Sequence, residues 1–421
     1  MEHPYPGSYK TTLKNGLRVL VEPLPDRPLS LGMWVTVGSR DETPELAGVT
    51  HFLEHMVFKG TKRRTASQIS EEVDALGGYI NALTHKEYTL FHIDSLPQHL
   101  EASLDILADL VNSPRFHEDD IAKEKGVVLE EIRMVEDDPQ EKVFDLFTEK
   151  IWNHGHPLSR PILGWPATVT NLNRAELQQQ HAYYHPENLV LTAAGAVKPE
   201  DVIRVAQEQF GDLKSGPKLK ERWAPQTNTH FHLEDRDVQQ AHLCMGIESI
   251  DRHDERRFAL DVLNTILGGG MSSRLFKRIR EDLGLAYSVF SSPNFYLDTG
   301  LFIIYIGTEP SNARQTLEIT QEEIVRLTRE PVPNDTLRIA KEKLKGNLLL
   351  ALETSNARMV RLGLGEIYSM HTTLEALAAK VEAVTAEDIL GIAQAIFSNK
   401  RLSLCLIGPE ADLANVKASI N

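Results

Sequence analysis

An α+β fold built from two homologous domains is predicted by three observations. Strand-like and helix-like segments alternate along the chain. The pattern of the first half recurs in the second half in the same order. A polar Pro/Lys/Gly stretch, Lys214–Asn228, falls almost at the middle. The expected boundaries are 1–213 for an N-terminal domain, 214–228 for a linker and 229–421 for a C-terminal domain. Each domain should hold an antiparallel-rich sheet with helices packed on one face.

The elements justify this in order. The first strand pair opens with SLGMWVTVGSRDE near Ser30 and is matched by AHLCMGIESIDRHDE near Ala241. A helix follows in each half and leads into long alternating runs, LGGYINALTHKEYTLFHID and LGLAYSVFSSPNFYLDTGLFIIYIG. The run around Tyr79–Asp94 reads as an antiparallel pair joined by a short polar turn at Thr84–Glu87. Next, IAKEKGVVLEEI at Ile121 is matched by IAKEKLKGNLLLAL at Ile339, and NLVLTAAGA at Asn188 by RLSLCLIGP at Arg401. The segment after Val197 carries Pro199 at a helix start and Gly211 past its end, the usual asymmetry of helix boundaries.

Composition bounds the function. The 421 residues are 41% hydrophobic and 25% charged, enough for large buried cores. Lys+Arg 45 against Asp+Glu 60 gives a net charge of −15, which disfavours nucleic acid and anionic membranes as partners. The two cysteines, Cys244 and Cys405, sit in apolar runs and cannot form a thiolate zinc site or a disulfide framework. The segment MEHPYPGSYKTTLKNG lacks an apolar signal core, and no apolar run approaches a bilayer span, so a cytoplasmic protein is expected.

The chemistry concentrates in AGVTHFLEHMVFKGT. Val49, Phe52, Leu53, Met56 and Val57 form a helical apolar stripe, which places His51, Glu54 and His55 together on the other face. Two imidazoles one turn apart can chelate one zinc ion, and a carboxylate between them can act on its water. A catalytic zinc takes a third protein ligand. The helix predicted over Asp119–Glu136 offers Glu124 and Glu131 at the edge of its own stripe (Ile121, Val128, Ile132, Val135), whereas Glu130 points to solvent. The spacing leaves a metal role for Glu124 and Glu131 as open as the alternative of two surface glutamates with snorkelled stems. Rival signals are weaker: His181 and His185 read as a helix end among packed aromatics, His154 and His156 as a loop. Gly268–Gly270 lacks the spacing of a phosphate loop.

HFLEH with a distant glutamate resembles the inverted zinc motif of the pitrilysin/insulinase metallopeptidases, the inverzincins. The resemblance runs nearly end to end, through VGSRDE at Val37, GGYINALT at Gly77, VVLEEIRMVEDDP at Val127 and LGGGMSSRLFKRIREDLGLAYSV at Leu267. The pattern is most similar to the catalytic subunit of mitochondrial processing peptidase and its one-unit bacterial relatives. It implies zinc, one ion per chain, on His51, His55 and Glu131, with Glu54 as general base and Glu124 as a supporting catalytic acid group. It also implies substrate pairing along the edge strand at Asn81 and Ala82, and contact with the scissile carbonyl from Arg280 and Tyr287.

The second half has Asp261-Val-Leu-Asn264-Thr265 where the first has the motif, and Leu349 where Glu131 falls. It keeps the scaffold and loses the donors. The resulting expectation is a zinc endopeptidase acting on peptides or unfolded segments. By resemblance it works as a homodimer, with a heterodimer containing a degenerate homologue left open. A non-catalytic subunit of a similar assembly is the alternative.

Overall fold

The protein is described from a computed structural model at residues 1–153, 155–398, 402–410 and 416. In the first half, strands β1 (Tyr9–Thr12), β2 (Arg18–Pro23) and β3 (Leu29–Val35) precede helices α1 (Val49–Val57) and α2 (Ala66–Ala75). Then come β4 (Tyr79–Thr84), β5 (Thr89–Ser95), α3 (Leu100–Asn112), α4 (Glu118–Asp137) and α5 (Pro139–Ile151). Two short helices, α6 (Pro166–Asn171) and α7 (Arg174–His181), lead to β6 (Leu189–Gly195) and α8 (Pro199–Phe210). The second half repeats the plan. It runs β7 (Phe231–Asp235), β8 (Ala241–Ser249), α9 (Arg257–Leu267), a π-helical segment Phe276–Asp282, β9 (Ala286–Phe295) and β10 (Gly300–Thr308). It closes with α10 (Ala313–Arg329), α11 (Asn334–Ala351), α12 (Ser355–Ile367), α13 (Leu374–Ala383), α14 (Ala386–Phe397) and β11 (Ser403–Gly408).

Apart from the extra edge strand β1, the two sheets have the same wiring. The first is ordered β1-β2-β6-β3-β5-β4 and the second β7-β11-β8-β10-β9. In each, one parallel pair (β2 with β6, β7 with β11) sits beside antiparallel neighbours. These are two α+β domains, as the repeat predicts. Of the repeated segment at Arg401, the first residue lies outside the described residues, as does His154.

The compact units are not continuous halves of the chain. Unit 1 is Met1–Arg133, Arg160–Arg222 and Leu349–Thr373; unit 2 is Met134–Ser159, Trp223–Leu348 and Leu374–Asn421. Each therefore takes a helix from the other half. In unit 1 the main core covers one face of the sheet, and α12 lies on the other, where Met359 and Leu362 meet Leu20, Trp34 and Val190. In unit 2, Val143, Phe147 and Ile151 of α5 pack with Cys244, Tyr305 and Cys405. Both cysteines are free and buried there. The helices packed on one face are thus joined in each unit by a single helix on the second face. An amphipathic pattern marks the buried stripe of a helix but carries no information about which sheet it will cover.

The contact between α12 and β3 requires glycine. A Cβ on Gly363 would lie 2.0 Å from Trp34 Cε2, and one on Gly32 would lie 2.2 Å from Met359 Sδ. Trp34 cannot yield easily, because it is fully buried and its Nε1 donates to Thr192 Oγ1 at 2.9 Å. Gly363→Ala is expected to destabilise unit 1 by about 1–3 kcal/mol through overpacking. A melting temperature unchanged from wild type would show that the helix can withdraw without cost. Among the described residues, no helix is long and apolar enough to cross a membrane.

Candidate metal centre

Helix α1 is fixed before it presents anything. Gly48 enters it at φ 93°, a left-handed conformation that favours glycine. Glu42, buried, accepts from the backbone N–H groups of Gly48 (2.9 Å) and Thr50 (2.8 Å), satisfying donors that the helix start leaves unpaired. Burial pushes the Glu42 carboxyl up to about 7 despite those two hydrogen bonds. Gln180 of α7 donates to Thr50 Oγ1 at 3.0 Å, one residue before His51.

The apolar stripe of α1 is fully buried as predicted. The opposite face is not left to solvent: His51 is buried, and Glu54 and His55 are half-buried. That face meets β4 and α4. Thr84, at the end of β4, donates to Glu54 Oε2. Glu124 of α4 accepts from His55 Nδ1 at 2.8 Å and pairs through its other oxygen with Lys59 Nζ at 2.7 Å. Glu131, two turns further along α4, brings Oε2 to 3.7 Å from His51 Nε2 and 3.6 Å from His55 Nε2.

The two glutamates that spacing left equivalent are therefore distinct. Glu124 is 3% exposed and engaged at both oxygens, and its bond to Nδ1 turns His55 Nε2 toward Glu131. Glu131 Oε2 is buried with no hydrogen-bond partner, and His51 Nδ1 is likewise unpartnered. Ligand atoms of His51, His55 and Glu131 lie within 4.8 Å of one another. A tetrahedral zinc with bonds of about 2.0–2.2 Å holds its ligands roughly 3.3–3.6 Å apart, close to the separations found here. A buried acceptor that faces two imidazoles at 3.6 and 3.7 Å without bonding either fits a cation between them.

The electrostatics agree. Burial, with His55 adjacent, pushes the His51 pKa down to about 3, so its ring is neutral, the form that binds metals. Burial alone would lower His55 as well, but its bond to Glu124 and the charges of Glu131, Glu124 and Glu54 raise it above the ordinary value. Burial also raises Glu54, against the opposing pull of Thr84 and His55. Glu124 shows the opposite balance: burial would raise it, yet the bonds from His55 and Lys59 hold it below the usual carboxylate range. Three carboxylates thus face one lysine and two imidazoles, a surplus of negative charge that a dication would balance.

Lys59 and Thr84 were not singled out by sequence. Lys59 stands four residues after His55, just past the end of the helix, and Thr84 falls on the inward face of a period-2 strand, so both signals existed. Lys59→Met should weaken zinc binding by about tenfold, the low end for an outer partner of a ligand, with Lys59→Arg restoring most of it. Equal affinity in Lys59→Met, measured with a chromophoric chelator, would show that Glu124 is held without Lys59.

The remaining predicted residues are not members of this cluster. Asn81 and Ala82 are on β4, which occupies the sheet edge; Asn81 Nδ2 donates to Tyr79 Oη, and Asn81 Oδ1 accepts from Ala82 N at 2.9 Å. Arg280 and Tyr287 belong to unit 2, where the guanidinium stacks on the Tyr287 ring at 4.5 Å and on Phe276 at 4.8 Å. Tyr287 is 76% exposed. In α9 the motif positions carry Asp261, a half-buried acid pushed up to about 7 by desolvation, and Asn264, which accepts from Ser291 Oγ of β9. The helix-to-strand latch that Thr84 and Glu54 form in unit 1 is kept there, without metal donors. Leu349 is exposed. His181 donates to Val111 O and packs edge-on against Phe116, a structural role.

A half-buried glutamate stands beside a two-histidine, one-glutamate cluster that could hold a metal ion, on helices over a mixed sheet. The insulinase (peptidase family M16) profile matches residues 18–165, and the profile described as the peptidase M16 inactive domain matches 171–344. The chain belongs to the insulinase family, peptidase family M16. It is 39% identical to an uncharacterized zinc protease of Bacillus subtilis (strain 168) over 405 residues, covering 96% of this chain and 98% of that protein. It is also 39% identical to an uncharacterized zinc protease of Streptomyces coelicolor, over 98% of this chain and 92% of the relative. The fold matches the crystal structure of a protease from Helicobacter pylori with a TM-score of 0.90 at 23% identity, over 96% of this chain and 99% of that one. A structure described as a peptidase M16 inactive domain from Pseudomonas fluorescens matches at 0.89 and 22%, over 96% and 98%.

Proposed function

We propose that the protein is a zinc-dependent endopeptidase acting on peptides or unfolded protein segments, with one zinc per chain held by His51, His55 and Glu131. The observation that carries this is the unpartnered Glu131 Oε2 set between two imidazole nitrogens. Zinc bound there would supply Lewis acidity, which makes water nucleophilic near neutral pH and polarises a carbonyl.

The chain's own residues do the rest. Thr84 occupies Glu54 Oε2, which leaves Oε1 to take a proton from the attacking water and return it to the leaving amine nitrogen. Glu124 and Lys59 keep His55 in the tautomer whose Nε2 is the donor atom. The outer edge of β4 is unpaired among the described residues, and an extended peptide could add to it as a strand leading toward Thr84 and Glu54. Asn81 satisfies the Ala82 N–H until then. From the family resemblance, Arg280 and Tyr287 are assigned to substrate contact. Tyr287→Phe should lower kcat/KM and leave zinc content unchanged, and an unaltered kcat/KM would remove Tyr287 from the site.

The test is a mass-spectrometric digest of a mixed peptide library by zinc-loaded and zinc-stripped protein. Cleavage by the loaded form alone supports the proposal, and cleavage by neither form argues for a non-catalytic role. A homodimer is proposed on the same resemblance; light scattering that returns the mass of a single chain of 47.3 kDa would reject it.

A further inference from the structure

We propose that unit 1 carries a second binding site, for a phosphate monoester of a small organic molecule, in a cavity bounded by Lys62, Pro114, Arg115, Phe116, Arg174 and His181. The cavity measures about 410 Å³, within the range of small-molecule pockets and much larger than an inorganic anion needs.

Its charge is the first argument. Lys62, Arg115 and Arg174 contribute three cations, and the one carboxylate paired with them is Asp120, 2.7 Å from an Arg115 Nη atom. Neither Lys62 nor Arg174 has a side-chain hydrogen bond or ion pair among the described residues. Arg115 Nε is buried and also unpartnered. Two net positive charges remain in a chain whose net charge is −15. A phosphate monoester carries roughly −1.5 to −2 near pH 7 and offers three acceptor oxygens, a closer match than a singly charged carboxylate.

The Lys62 and Arg174 side chains stand exposed at the cavity, whereas Phe116 packs in the core and His181 is fixed by Val111. Arg174 is the first residue of α7, where a cation opposes the helix dipole. Phe116 adopts φ 46°, a left-handed conformation that is costly for a bulky residue, and thereby lines the cavity. Its ring meets that of His181 edge-on at 5.7 Å, and His181 is held by its bond to Val111 O. Together with Pro114 they form an apolar wall beside the cations, suited to the organic part of the ligand.

Calorimetric titration of the zinc-loaded full chain with phenyl phosphate, and separately with inorganic phosphate, tests this at low salt. Phenyl phosphate should bind, and more tightly than inorganic phosphate. Its affinity should fall about tenfold or more in both Arg174→Glu and Lys62→Glu, substitutions at exposed positions that leave the core intact. Binding that survives both substitutions would place the anion elsewhere, the metal centre included, and would overturn the proposal. So would an absence of binding to wild type, and inorganic phosphate binding as tightly as phenyl phosphate would overturn the organic ligand class.

Discussion

Purified Glu54→Gln protein is expected to hold zinc as tightly as wild type and to cleave peptides roughly 10²–10⁴-fold more slowly, the usual contribution of a positioned general base. Glutamine keeps the size of Glu54 and still offers Thr84 a carbonyl oxygen to donate to, so the latch between α1 and β4 should survive. Glu54 is not among the residues whose donor atoms converge with Glu131 Oε2, so zinc content should not change. What is lost is the ability to take a proton. Burial raises the Glu54 pKa, which brings it closer to neutrality and makes proton return to a leaving amine easier. Steady-state rates on a cleaved peptide, with zinc measured on the same sample, give the result. A wild-type rate would sink the assignment, and loss of zinc would turn Glu54 into a ligand.

The parts of this centre visible in the sequence were local ones. His51, Glu54 and His55 share a helix face because of their spacing, and the periodicity of α4 brought Glu124 and Glu131 into consideration. Periodicity could not separate those two glutamates. Their difference depends on which nitrogen of His55 each one faces, a property of how α4 crosses α1. Lys59 and Thr84 went unnoticed for a related reason: a lysine after a helix and a threonine ending a strand are ordinary until the partner carboxylate is located. The repeat made two related α+β domains legible, though not the strand order of their sheets. The exchange of α5 and α12 was not, since the stripes of Val143, Phe147 and Ile151 or Met359 and Leu362 would suit either sheet. The glycines at 32 and 363 specify the α12 contact, but only once Trp34 is known to lie beneath it.

His51→Ala should have the largest effect on the metal. Zinc bound by four ligands in small folded sites is worth about 10–16 kcal/mol, or roughly 2.5–4 kcal/mol per ligand, so deleting one should weaken binding by about two to three orders of magnitude. His51 is the more critical of the two histidines to test, because its ring is buried and neutral and has no hydrogen bond at Nδ1 to retain it for another purpose. Glu131→Gln should behave in the same way. Glu124→Gln should not: it leaves all three donor atoms in place and loosens the orientation of His55, at a cost of about 10–100-fold. Competition titration with a chromophoric chelator at fixed pH ranks the three variants. The order expected is His51→Ala and Glu131→Gln well below Glu124→Gln, with peptide cleavage following zinc occupancy. If Glu124→Gln lost zinc as completely as His51→Ala while Glu131→Gln kept it, the two glutamates would exchange roles and α4 would have to present its other turn to the metal.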